Sequence, residues 1–155
     1  MSEGFLDAMR LLAGGVTIVT AGDDDTAAGL TATAVCSLSA EPPRMLVCLN
    51  RAGSTFKAVL ESGHFCVNIL AADQQELSLE FSGRTGKVGE DKFSGDAWER
   101  QPDAAPRHRQ ALASVRCNTH ALNIVGSHAI VIGDVVETQF GARRDSLIYR
   151  DGAFI

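Results

Sequence analysis

The chain has no continuous apolar run approaching the roughly 20 residues that a membrane-spanning helix requires, so no span is expected. Basic clusters are missing too. Fourteen Lys and Arg stand against 19 Asp and Glu, and the formal net charge of -5 would repel a phosphate backbone, which argues against nucleic acid as a partner. Residues 1–10 carry Glu3 and Asp7 and lack the basic start and apolar centre of a secretory signal, which predicts a cytoplasmic protein. Cys36, Cys48, Cys66 and Cys117 form no C-x-x-C pair and no metal-ligand spacing. Each lies in an apolar stretch, so four small core thiols in a reducing compartment are expected, and no metal. Nothing matches G-x-G-x-x-G between a strand and a helix, and Gly86-Lys87-Val88 lacks the Ser or Thr of a phosphate-binding loop. A bound dinucleotide would therefore sit outside a Rossmann frame. Internal repeats and low-complexity linkers are also absent.

What is present suits one globular domain over residues 1–155. Hydrophobic residues make up 45% and charged residues 21%, enough to bury a core without disulfides or metals. Phe5, Ala8, Met9 and Leu12 follow helical spacing up to Gly14-Gly15. Val16 to Ala21 reads as a strand, and Gly22 to Asp25 as a turn into a long strand from Ala28 to Ser39. Alternation on that strand sends Ala32, Ala34, Cys36 and Leu38 to one face and Thr31, Thr33, Val35, Ser37 and Ser39 to the other. Pro42-Pro43 breaks the chain before Met45 to Leu49, an apolar run typical of a strand covered on both faces. A helix over Ser54 to Ser62 has Phe56, Val59 and Leu60 on one face, a hydroxyl at its start and Gly63 beyond its end.

His64 to Leu70 alternates as a strand, and Asp73 with Glu76 forms a capping-box pattern ahead of the Leu77 and Phe81 pair. From Ser82 to Arg109 glycines and prolines outweigh periodicity. Phe93 and Trp98 predict that this long loop is ordered and packed. Two long strands, Val115 to Val125 and His128 to Thr138, read as a hairpin turning at Gly126-Ser127, and Asp151-Gly152 marks a last tight turn. Strands outnumber helices and do not alternate with them. The fold class expected is therefore mainly β with a few short helices, a Greek-key or split barrel.

The strongest site read from the residues alone is Asn50-Arg51-Ala52-Gly53-Ser54-Thr55, where a buried strand ends in a Gly-containing turn and opens a helix. Free N–H groups and the positive dipole end suit a phosphate, Ser54 and Thr55 offer hydroxyls, and Arg51 a full charge. The alternative is that Ser54 is only a helix cap. His128 stands apart from His64, His108 and His120 because it sits at a hairpin corner, where a side chain can reach a cleft.

Taken in order, the segments GVTIVTA, GLTATAVCSLSAEPPRMLVCLNRAGSTF, GHFCVNIL, QELSLEFSG, EDKF, GSHAIVIGDV and LIYRDGAF resemble the short-chain flavin reductases, the reductase components of two-component flavin-dependent monooxygenases. The likeness covers nearly the whole chain. It implies an FMN-binding split β-barrel that forms a homodimer, with flavin in a groove near the subunit interface. Thr31, Ala32, Thr33 and Ala34 would border the isoalloxazine through backbone groups, with Ser37 close by. Asn50, Ser54 and Thr55 would hold the ribityl chain and phosphate, as the helix-terminus argument also suggests. Phe81, Ser82 and Gly83 would form the next wall, and His128 and Tyr149 would place the nicotinamide. The implied activity is hydride transfer from NADH, or NADPH, to FMN or FAD for an oxygenase component. A non-catalytic flavin carrier or sensor, or a related enzyme reducing a corrinoid or metal complex, would share these residues.

Overall fold

The computed structural model describes residues 2–155. Its helices are α1 (Ser2–Leu11), α2 (Ser54–Ser62) and α3 (Gln75–Phe81), with a 3-10 turn at Gly89–Phe93. Its strands are β1 (Gly14–Gly15), β2 (Thr17–Ala21), β3 (Ala28–Ala32), β4 (Val35–Ala40), β5 (Pro43–Asn50), β6 (His64–Ile69), β7 (Trp98–Gln101), β8 (Ala104–His108), β9 (Ala113–Val125), β10 (His128–Phe140), β11 (Ile148–Arg150) and β12 (Ala153–Phe154). Among the described residues no helix is long and apolar enough to cross a membrane.

The main sheet has seven strands in the order β3-β2-β6-β9-β10-β5-β4, with every pairing antiparallel. Early and late strands interleave instead of following the chain. The mainly β class with a few short helices is as expected, and the sheet is consistent with a split barrel. The split lies between β3 and β4. These two are consecutive in the chain yet occupy opposite edges of the sheet.

That placement corrects the single long strand expected from Ala28 to Ser39. The chain leaves one edge at Thr33-Ala34 and crosses to the other, where the Val35 N–H donates to the Thr33 carbonyl at 2.9 Å and the Cys48 N–H to the Ala34 carbonyl at 3.0 Å. Past the crossing the expected apolar face is not covered: Ala34, Cys36 and Leu38 are exposed. Cys36 is therefore no core thiol, and only Cys66 and Cys117 are fully buried.

β2, β6 and the inward halves of β5 and β10 are buried because sheet and helix cover them from both sides. α2 packs on this core through Phe56, Ala58 and Val59, against Val19, Val47, Phe65 and Val131. Leu60, expected on the same helical face, points to solvent. The α3 cap also differs: Asp73 pairs with Arg144 at 3.2 Å, and the cap falls one residue later, at Gln74, whose side-chain oxygen accepts from the Ala71 N–H. The long segment after α3 is ordered, as Phe93 and Trp98 suggested. It forms the 3-10 turn and the β7–β8 hairpin, and it stacks Phe93 and Trp98 on Phe81 with ring centroids 5.0–5.2 Å apart.

Candidate functional site

β3 is an edge strand, so alternate backbone groups face away from β2 with no ladder partner. Side chains from the next layers take most of them. Glu90 accepts from the Ala27 N–H at 3.0 Å, and Lys92 donates to the Gly29 carbonyl at 3.3 Å. Thr31 keeps the same phase, and its hydroxyl donates to the Ser78 carbonyl of α3 at 2.5 Å. Its amide and carbonyl are left on the free edge. Ala32 points the other way, its carbonyl accepting from the Thr17 hydroxyl at 2.8 Å.

Here the surface opens into a cavity of about 170 Å³. Thr31, Ala32 and Thr33 form its floor, and Ser78, Leu79 and Ser82 of the α3 end form one wall. The opposite wall is Tyr149 with Phe154, whose rings meet edge to face at 5.5 Å. β11 carries Tyr149 there by pairing with β1, opposite Gly14. A Cβ on Gly14 would come 2.9 Å from the Thr33 Cβ, so Gly14 is what lets this layer close on Thr33. Gly14-Gly15 thus serves as a strand as well as a helix stop.

The cavity gathers Thr31, Ala32, Thr33, Ser82 and Tyr149 of the residues expected at a site. Others lie elsewhere. Ala34 is exposed in the crossing itself, and Ser37 is exposed along β4 beyond it. Phe81 is buried, its ring packed on the Gly29 backbone and on Phe93. Gly83 adopts a left-handed φ of 78° and ends α3, and the Arg84 N–H closes that end on the Leu79 carbonyl at 3.1 Å. Ser54 opens onto a groove shared with Lys57 and Lys92. Gly53 holds the cap position of α2, so the Ser54 hydroxyl is not spent on capping. Thr55 is only 2% exposed and faces the core.

Asn50, Arg51 and His128 meet at the β9–β10 hairpin tip. His128 pairs with Asn50 in register, and the Asn50 side chain accepts from the Ala52 N–H at 2.9 Å. Arg51 donates to the carbonyls of Ser127 and Gly126, at 3.0 Å through its backbone and 3.3 Å through its side chain. The Ser127 hydroxyl lies 2.8 Å from His128 Nδ1. Sequence reasoning missed Ser78, Leu79, Arg84 and Phe154. Phe154 was within reach, because the Asp151-Gly152 turn sets it opposite Tyr149. Arg84 was signalled only by its place just after a helix-ending glycine.

The fold is a mainly β, antiparallel sheet consistent with a split barrel, with an apolar, aromatic-walled cavity at the free edge of β3. The family model for the flavin reductase like domain matches residues 9–154, and the chain belongs to that family. It is 38% identical over 145 residues, 94% of this chain and 80% of the relative, to FMN reductase (NADH) RutF from Pseudomonas syringae pv. syringae (strain B728a). It is 35% identical over 146 residues, 94% and 85% of the two chains, to the 4-hydroxyphenylacetate 3-monooxygenase reductase component of Escherichia coli. Among solved structures it is similar to BorF, the flavin reductase component of a bacterial two-component tryptophan halogenase. The TM-score is 0.90 at 33% identity, over 100% of this chain and 97% of that one.

Proposed function

We propose that this chain is an NADH:flavin oxidoreductase that reduces FMN or FAD and supplies the product to an oxygenase component. The observation that carries the reading is the cavity at the open edge of β3, in a chain of the flavin reductase-like family. The residues fit a flavin. A planar ring with alternating donor and acceptor atoms matches the free amide and carbonyl of Thr31, and the walls of Tyr149, Phe154 and Leu79 offer its face apolar surface. The dinucleotide and the flavin supply the redox chemistry, hydride passing from nicotinamide C4 to flavin N5. The protein holds the two rings in register, and positioning of this kind removes much of the barrier to a two-reactant step.

In this reading Thr31, Ala32, Thr33 and Ala34 border the ring, Ser37 lies at its far side, and Ser82 and Gly83 end the neighbouring wall with Phe81 behind them. Asn50, Arg51 and Ser54 take the ribityl and phosphoryl end. Ser54 has the free hydroxyl of the pair, while Thr55 supports from the core. His128 and Tyr149 place the nicotinamide. Within one chain His128 does not line the cavity, and the homodimer we propose accounts for this, the hairpin tip of one copy completing the site of the other. The net charge of -5 and the free cysteines support a cytoplasmic location away from nucleic acid and membrane.

The test is turnover: purified protein with NADH and FMN should consume NADH steadily, with FAD and NADPH as comparison arms. Gel filtration after reduction then separates retained from released flavin. Tight flavin binding without NADH consumption would establish the carrier reading instead, and preference for a corrinoid or metal complex over free flavin would establish the third.

A further inference from the structure

We propose that Arg84 is a specificity-determining residue that pairs with the pyrophosphate of the nicotinamide dinucleotide. Among the described residues lining the Thr31–Tyr149 cavity it alone is charged, and the remaining lining is apolar or hydroxyl. Its guanidinium makes no ion pair with any described residue, and the nearby carboxylate of Glu80 is already paired with Lys87 at 3.2 Å. The position is built. The left-handed turn at Gly83 and the bond from the Arg84 N–H to the Leu79 carbonyl fix the Arg84 backbone at the end of α3, directly beyond the cavity wall. An unpaired, exposed arginine whose backbone is anchored at the rim of a neutral pocket fits a phosphate oxygen, which a guanidinium holds through charge-assisted hydrogen bonds.

Two sources could bring that phosphate: the flavin and the dinucleotide. The flavin's phosphoryl end already has Ser54, Arg51 and the α2 start in the proposed function, on which this inference rests. The dinucleotide has no other assigned cation. Its nicotinamide must lie over the ring in this cavity, which brings its pyrophosphate to the rim that Arg84 occupies.

The experiment compares wild type, Arg84→Ala and Arg84→Lys by steady-state kinetics with NADH and FMN, and by FMN titration without dinucleotide. Arg84→Ala should raise KM for NADH on the order of tenfold with kcat held. The lysine variant should recover part of this loss. FMN affinity should stay at the wild-type level, and the rise of the wild-type KM with salt should flatten in Arg84→Ala. An unchanged KM in Arg84→Ala would overturn the proposal. So would weakened FMN binding at constant KM, which would assign the cation to the flavin phosphate. Failure of wild type itself to consume NADH would overturn the underlying activity instead, so the two failures are distinct.

Discussion

His108 is 5% exposed, its ring edge on Trp98 at 4.8 Å and its Nδ1 accepting from the Gln110 N–H at 3.2 Å. Burial first, then the Arg144 charge, lowers its pKa from 6.5 to about 4, with Glu80 opposing. Above 6.5 the ring is neutral in both folded and unfolded chains. As pH falls from 6.5 towards 4 the unfolded chain takes up a proton that the folded chain refuses, so stability drops, by on the order of 3 kcal/mol at the lower end. His108→Gln should flatten that part of the slope in denaturant titrations, and an identical acid slope in both proteins would refute the assignment. Burial also pushes the Cys66 and Cys117 thiols up to about 12, which leaves them unreactive at neutral pH. At this scale the sequence is legible where a residue's neighbours report its own surroundings, as for Phe93 and Trp98. It misleads at Cys36, whose apolar neighbours in β4 predict burial within the chain, although no described residue of the same chain buries it.

At the scale of elements, the strands with strong period-2 patterns and the hairpin at Gly126-Ser127 are readable because local geometry alone produces them. The break at Thr33-Ala34 is not, since no Gly, Pro or polar turn marks it. Long-range pairing of β3 with β2 and of β4 with β5 makes the break. The capping pattern at Asp73 fails for a similar reason, because Arg144, 71 residues away, claims the carboxylate. A long-range constraint also explains Gly133. Here β10 shifts register against β9, and a Cβ at 133 would come 2.5 Å from the Cys117 Cβ and 2.6 Å from the Phe65 ring. Both neighbours are fully buried and cannot withdraw. Gly133→Ala should therefore cost about 1–3 kcal/mol through overpacking. A denaturation midpoint equal to wild type would mean that this corner of the barrel is loose.

For the whole molecule, the candidate site was half legible. The hydroxyl residues around Thr31 could be read in sequence and the resemblance assigned them to a site, whereas their convergence with Tyr149 and Phe154 depends on β1 capturing β11, which no local pattern announces. The α2 start, also legible, lies apart on its own groove. The proposed homodimer belongs at this scale too. On the outer face of the sheet Cys36, Leu46, Ile132 and Ala121 stand opposite one another across β4, β5, β10 and β9, and Cys48 and Ile130 make the next row. At one end the row meets a polar rim, where Arg44 and Asp134 pair at 2.6 Å and His120 lies 3.1 Å from Asp134. An apolar centre with a charged rim is the anatomy of a protein interface. Ile132→Glu places an unpaired charge at the centre of this face, where desolvation would be costly in a dimer and cheap in a monomer. Light scattering should give twice the chain mass for wild type and a single-chain mass for the variant, with far-UV circular dichroism unchanged. NADH turnover should fall when the dimer is lost, because His128 would then reach no partner's cavity. A wild-type monomer would refute the homodimer and leave the placement of His128 without its explanation, whereas a dimeric Ile132→Glu protein would move the interface off this face.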